Sequence, residues 1–174
     1  YATSTPIQDM RKYRRTVRRG LGGLVPNKLV LGDLTFDVLA DHPNLLDRIK
    51  YGHSAENPAM VTPNLIGQLL NFQEVLVGIS MFTSDPEGTA EASVTYTANW
   101  DDDAWMGYVA GNPSLFNPSA GYTFAWRTVL NGPRLVKRRR DPLSDKGDLI
   151  EGFEWLDQKG VATDAGLFME DAVD

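Results

Sequence analysis

The residues of this chain that could do chemistry fall into a few short runs, and their spacing limits each of them. Asp101, Asp102 and Asp103 carry the hard oxygen ligands that Ca²⁺ or Mg²⁺ would take. Three consecutive carboxylates cannot converge on one ion, and the spacing and glycine of an EF-hand loop are missing. The run reads as a solvated turn between Trp100 and Trp105. Glu151, Glu154 and Asp157 could supply a carboxylate pair for acid/base work, but they fall in an alternating segment, where charges form an exposed face or an interface. Gly20, Gly22 and Gly23 follow a predicted helix and precede a predicted strand. Phosphate-cradling glycine loops need the opposite order. Ser80 and Ser84 lack a nucleophile-elbow pattern. His42 reads as a helix-end residue beside Pro43, and His53 as an exposed loop residue. With no cysteine, disulfides, thiolate metal sites and a thiol nucleophile are excluded, which fits a reducing compartment. No catalytic, cofactor-binding or metal-ligating residue is assigned, and an enzyme is not expected.

Charge is the stronger signal. Arg11, Lys12, Arg14, Arg15, Arg18 and Arg19 crowd one segment against a lone Asp9, and Lys137, Arg138, Arg139 and Arg140 form a second basic run. The formal net charge is nevertheless −6, which argues against a general nucleic-acid binder. Each run has two readings, a solvated face or a contact with a polyanion, and within the second an acidic protein neighbour is favoured over nucleic acid. Lys137 and Arg139 point to one side of a strand and Arg138 and Arg140 to the other, so that run suits an exposed edge that resists uncontrolled pairing. Carboxylates such as Asp101 to Asp103 on a neighbouring copy are candidate partners, since the planar arginine fork pairs bidentately with carboxylate.

The elements that position these residues are α and β in mixture. A chain of 174 residues with 42% hydrophobic and 23% charged residues is large enough and apolar enough for a packed core. No apolar run approaches the roughly 20 residues needed to span a bilayer, and no signal peptide is visible. Residues 4 to 21 read as a helix. Thr5 is its N-cap, Pro6 its first residue and Gln8 the partner of a capping box; Gly20, Gly22 and Gly23 end it. Ile7, Met10, Tyr13 or Arg14, Val17 and Leu21 follow spacings of three and four and make an apolar stripe along one side of it. Pro26-Asn27 turns the chain into a short strand, Lys28 to Leu31. Asp33 is expected to cap a helix to about 41 in which Leu34, Phe36, Val38 and Leu39 pack. The residue before Pro43 breaks that helix, and Asn44 is expected to cap a second, Leu45 to Tyr51. Thr62-Pro63 starts a third, ending at Asn71. Glu74 to Phe82 reads as one central strand, Ala92 to Ala98 as a half-exposed strand, and Trp105 to Val109 as a short one. Gly121 to Leu130 reads as a long aromatic strand, Arg134 to Arg140 as an edge strand ending at Asp141-Pro142, and Ser144 to Asp148 as a polar turn. Leu149 to Leu156 alternates, Gly160 to Thr163 continues that run, and Leu167 to Val173 is a last apolar element.

Several of these segments, in this order, resemble the C-terminal half of a tailed-phage or prophage major capsid protein. They are PIQDMRKYRRTVRRGLGG leading into PNKLVLG, then FDVLADHPNLLDRIKYG, TPNLIGQLLNFQEVLVGISMF, WMGYV with GYTFAW, and DLIEGFEWLDQKGVATDAGLFMEDAV. The resemblance covers nearly the whole chain and rests on packing signatures. It implies the α+β phage major capsid fold, shared with encapsulin shells, in which an axial domain is set into a peripheral domain. Residues 6–130 would be mostly axial domain and 131–174 the segment returning strands to the peripheral domain. The family's N-terminal arm, extended loop and spine helix have no counterpart in this chain. The implied function is that of a structural subunit of an icosahedral shell around a DNA genome, built from pentamers and hexamers. Other copies of the chain would be its main partners, with scaffolding, portal or decoration proteins besides. DNA would be touched only by weak non-specific contact and a membrane not at all. The subunit would assemble in the bacterial host cytoplasm and reside in the virion. The candidate subunit-interface residues are then Arg11, Arg14, Arg15, Arg18, Arg48, Lys50, Lys137, Arg138, Arg139 and Arg140. The alternatives are an encapsulin-like compartment shell and a nucleic-acid-binding module using the two basic runs.

Overall fold

The computed structural model describes residues 4–52, 61–126, 134–140 and 147–173, with the side chains of 50–52 outside that set. His53, the end of the aromatic strand after Trp126, Asp141-Pro142 and most of the polar turn after it lie outside the described residues. The architecture is α+β. In chain order the elements are α1 (Pro6–Gly20), β1 (Lys28–Gly32), α2 (Asp33–Ala40), α3 (Pro43–Gly52), α4 (Pro63–Leu70), β2 (Glu74–Gly78), β3 (Met81–Phe82), β4 (Thr97–Ala98), β5 (Ala104–Gly107), β6 (Gly121–Ala125), β7 (Arg134–Arg140), β8 (Asp148–Glu154), β9 (Leu156–Gly160) and β10 (Gly166–Met169). They divide into two compact units. The first holds residues up to 120 and from 162, and the second is the 121–161 segment.

In the first unit a four-stranded sheet has the order β10-β5-β1-β2, with β1 parallel to β2 and β5 antiparallel to β1 and β10. A parallel pair needs a long crossover, and α2, α3 and α4 supply it. Leu29 and Leu31 alternate along β1 and are fully buried with Leu45 of α3, Ile66 of α4 and Met106 of β5. Ile7, Met10 and Val17 of α1 close over the same cluster, following the apolar stripe legible in the sequence. Each such side chain contributes about 1.5–3 kcal/mol on leaving water.

The C-terminal end of α1 and both ends of α4 follow their sequence signals. Gly23 N–H donates to Arg18 O and Gly22 N–H to Arg19 O, and both glycines have positive φ, so α1 closes with a Schellman motif. Thr62 Oγ1 accepts from Leu65 N–H, and Asn71 ends α4 in the left-handed region at φ 63°. Other caps differ from expectation. The Thr5 hydroxyl donates to the Asp9 carboxylate, and no capping box with Gln8 forms. Gly32, not Asp33, occupies the N-cap of α2, because the turn at 100–103 presses its carbonyls there. A Cβ at position 32 would collide with Trp100 O and Asp101 O. Asn44 is the second residue of α3 and does not cap it; its N–H donates to Nδ1 of the buried His42, which takes the capping place. In α2, Leu39 is buried and Phe36 packs half-buried against the core as expected; Thr35 is also buried, and Leu34 is 45% exposed.

Glu74 to Phe82 is not one central strand. β2 is an edge of the sheet, and the chain leaves the ladder after Gly78, where the Trp100 ring occupies the space a side chain would need. Met81–Phe82 then pairs with Thr97–Ala98 in a separate two-residue ladder. The rest of the expected 92–98 strand is taken up by a 3₁₀ turn at Glu91–Ser93 and an irregular link.

The second unit contains two antiparallel ribbons, β6 with β9 and β7 with β8. The second unit begins at 121, because β6 pairs with β9 inside it, and β10 returns to the first unit's sheet. In the first unit, Tyr108 holds both ends of that excursion: its N–H donates to Ala165 O at 2.8 Å and its carbonyl accepts from Ala120 N–H at 2.9 Å.

Candidate assembly surface

The basic side chains singled out in the sequence have three different fates. On α1 the inward stripe is apolar, so a basic residue's position on the helix decides whether it meets protein or water. Arg14, one position past the half-buried Tyr13, is drawn inward. Its Nη1 donates to Leu70 O at 3.2 Å, at the C-terminus of α4, where the helix dipole favours a cation. With the Asn71 amide oxygen turned toward it, Nη2 donates there at 3.1 Å. Its guanidinium lies 5.5 Å from the Phe72 ring centroid. Burial first, and then the charge of Arg18, push its pKa below the usual arginine value. Arg14 is therefore an internal clamp between α1 and α4. Arg11, Arg15 and Arg18 are exposed on the outer face of α1, as is Arg48 on α3; Lys50 lies in α3 with its side chain outside the described set.

The β7 run meets its counter-charges within its own ribbon. In the β7–β8 register Arg134 stands directly opposite Glu154, and Arg138 and Arg139 reach diagonally to Asp148 and Glu151. Arg134 Nε to Glu154 and Arg139 Nη2 to Glu151 are both 2.8 Å, and Arg138 donates from Nε and Nη2 to one oxygen of Asp148, Oδ2. Lys137 lies over the Phe153 ring. Of the acidic residues weighed for acid/base work, Glu151 and Glu154 are thus arginine partners, and Asp157 is exposed on β9 opposite Phe124. Arg140 stands opposite Asp148.

The Asp101 to Asp103 turn works through its backbone. Its carbonyls accept Gly32 N–H at 2.8 Å and Thr35 N–H at 3.4 Å at the start of α2, and Ala172 N–H at 3.0 Å near the C-terminus. Among the described residues no group of three or more His, Asp or Glu is arranged to hold a metal ion. A cleft of about 460 Å³ lies between the start of α1, the end of α2 and residues 169–173, and its lining includes Asp9, Tyr13, His42, Glu170 and Asp171. No described helix is long and apolar enough to cross a membrane.

The apolar surface of the first unit was not foreseen. Leu115 and Phe116 are 98% and 92% exposed at the tip of the loop between Asn112 and Asn117, whose ends are tied by Asn117 Nδ2 donating to Asn112 O. Ile79, Met81, Phe82 and Tyr96 are exposed around the β3–β4 ladder. Asn27, a turn residue by sequence, also ties distant backbone together. Its side-chain amide exchanges two 2.8 Å bonds with the backbone of Val109, and its carbonyl receives Gln73 and Glu74 N–H. An Asn beside a buried proline was the available signal.

No protein-family model matches the chain. Its sequence is 24% identical over 127 residues to the major capsid protein of Burkholderia phage BcepMu, covering 70% of this chain and 38% of that protein. Its fold matches the crystal structure of a phage-related protein from Bordetella bronchiseptica with a TM-score of 0.76 and 26% identity, over 97% of this chain and 52% of that one. The chain thus spans about two fifths to one half of the length of these relatives. The capsid resemblance drawn from the motifs is met by similarity to a capsid protein in sequence and to a phage-related protein in structure.

Proposed function

We propose that this chain is part of the structural subunit of a bacteriophage or prophage capsid, and that its work is assembly and not catalysis. The observation that carries the reading is the similarity to a major capsid protein over most of the chain. The physical surface supports it. Leu115 and Phe116 stand nearly fully exposed on a tied loop, and Ile79, Met81, Phe82 and Tyr96 are 48–72% exposed around the β3–β4 ladder, apolar surface of the kind that a soluble monomer rarely leaves uncovered. The subunit forms pentamers and hexamers of an icosahedral shell enclosing DNA, it assembles in the host cytoplasm and resides in the virion, and it meets scaffolding, portal or decoration proteins there. Residues up to 120 and from 162 serve as the axial domain, and the ribbons of 121–161 as strands returning to the peripheral domain. The pairing of Arg134, Arg138 and Arg139 with Asp148, Glu151 and Glu154 favours this over a nucleic-acid-binding module, since those cations already have carboxylate partners.

The test is negative-stain electron microscopy of the full-length gene product under assembly conditions. Rings or shells are expected, and Leu115→Ser with Phe116→Ser should leave subunits folded and unassembled. A full-length protein that stays monomeric at every concentration and ionic strength tried sinks the proposal.

A further inference from the structure

We propose that α1 of one copy of this chain docks against α2 of a second copy, through two stripes of opposite charge that share one spacing. On α1, Arg11, Arg15 and Arg19 are exposed and four residues apart. On α2, Asp33, Asp37 and its C-cap Asp41 are exposed and also four residues apart. Four residues advance a helix by about 6 Å and return almost to the same face, so both stripes present their charges at one interval.

None of these six side chains joins an ion pair among the described residues, where the recorded pairs use Lys28, Arg134, Arg138 and Arg139. Within each stripe the like charges oppose one another, while Arg19 at the end of α1 and Asp33 at the start of α2 complement their own helix dipoles. Like charges four apart on a helix repel, and Asp41 sets negative charge at the negative end of the α2 dipole. Opposite charge on a partner turns each of these costs into a gain. Leu34 adds a second, independent feature. It is 45% exposed on the acidic side of α2, three residues before Asp37 and seven before Asp41, and it offers the aliphatic stems of arginine an apolar surface to cover.

An antiparallel approach opposes the two helix dipoles and sets Arg19 against Asp33, Arg15 against Asp37 and Arg11 against Asp41. The stripes are different surfaces of one chain, so the contact is head-to-tail and leaves one stripe of each kind free on every pair. Such contacts close into rings when the rotation allows. The inference rests on the capsid reading only in taking the neighbour to be a further copy.

Sedimentation velocity of the chain at low ionic strength, repeated in high salt, tests it. The wild-type chain should self-associate at low salt and less so at high salt. Arg15→Glu alone and Asp37→Arg alone should each weaken association about tenfold, an attraction having become a repulsion. An equimolar mixture of the two variants should recover association, because the altered α1 of one meets the altered α2 of the other while their unaltered stripes meet in the alternate contact. Thermal melts in high salt that match the wild type show that the variants are folded. A wild-type chain that stays monomeric at low salt, single variants that associate as well as the wild type, or a mixture that does not recover would each overturn the α1–α2 contact. Shells from the full-length protein would in those cases leave the capsid reading standing. Rescue by the mixture with no shell from the full-length protein would keep the contact and remove the capsid reading.

Discussion

Removing the Arg14 side chain separates an internal role from an external one within a single turn of α1. Arg14→Ala deletes a charged donor to Leu70 O, a bond of a class worth about 1.5–3 kcal/mol. It also removes the contact with the Phe72 ring, worth about 0.5–1 kcal/mol where partly exposed. Against these stands the cost of holding the charge there. Burial depresses the Arg14 pKa, so part of the gross gain is spent on desolvation, and residual solvent access screens the remainder. The expected net loss is about 2 kcal/mol, since the last carbonyls of α4 also lose the cation that offsets the dipole. Arg14→Met keeps most of the stem packing against Phe72 and should lose about 1.5 kcal/mol, the low end of the hydrogen-bond share. Urea unfolding followed by circular dichroism reads this as a lower midpoint with an unchanged slope. Arg15→Ala is the control, one residue on and exposed, with an expected effect within about 0.5 kcal/mol. If Arg14→Ala and Arg15→Ala unfold at the same midpoint, Arg14 does not clamp α1 to α4, and the division of the basic face into inner and outer residues fails.

Two further outcomes follow from close contacts in the first unit. Gly32→Ala places a methyl group against the carbonyls of Trp100 and Asp101, so the chain should lose about 3 kcal/mol in urea unfolding, whereas Gly111→Ala, where nothing lies near, should change little. Asn27→Ala leaves the N–H and carbonyl of Val109 without the amide that matches both, and should cost about 2 kcal/mol. Hydrogen exchange at Val109 would then rise out of proportion to global unfolding; unchanged protection there would show that the amide pair is not a structural tie.

Local signals were legible where the residue itself does the work. Thr62-Pro63 and Asn71 bound α4 as their types require, the glycines after Arg19 close α1, and seven residues from Arg134 form a strand. The misreadings arose where a distant segment competes with a local preference. Asp33 is a good capping type, yet the turn carrying Trp100 and Asp101 already fills the N-cap space, so glycine must stand there. EVLVGISMF has the composition of a buried strand, and only the Trp100 ring over Gly78 explains why it splits. The basic runs were visible but their fates were not. Arg14 and Arg15 have one chemistry, and the helix phase relative to Leu70 and Phe72 separates them. The partners of the β7 arginines were readable in principle, since Arg134 to Arg140 is mirrored by Asp148 to Glu154. A hairpin register turns that mirror into pairs.

The two kinds of exposed surface ask different things of a neighbour. The helix stripes are charged and solvated, and contacts of that kind contribute little affinity each while fixing which face meets which and how fast. The ribbons of the second unit have the opposite character. Among their described residues none is buried, and Val136 and Ile150 are 72% and 68% exposed. Ordering the backbone of β7 and β8 costs about 1–2 kcal/mol per residue, while each exposed ion pair across them returns roughly 1 kcal/mol at most. A two-stranded ribbon with that balance is marginal in water and gains its order from a surface that covers its apolar side chains. Under the proposed α1–α2 contact, charge on the helices would select the neighbour and a surface covering the ribbons' apolar side chains would hold it. This division suits a subunit that must first find the right partner and then stay locked, since reversible polar contacts allow a wrong encounter to dissociate before apolar surface closes over it.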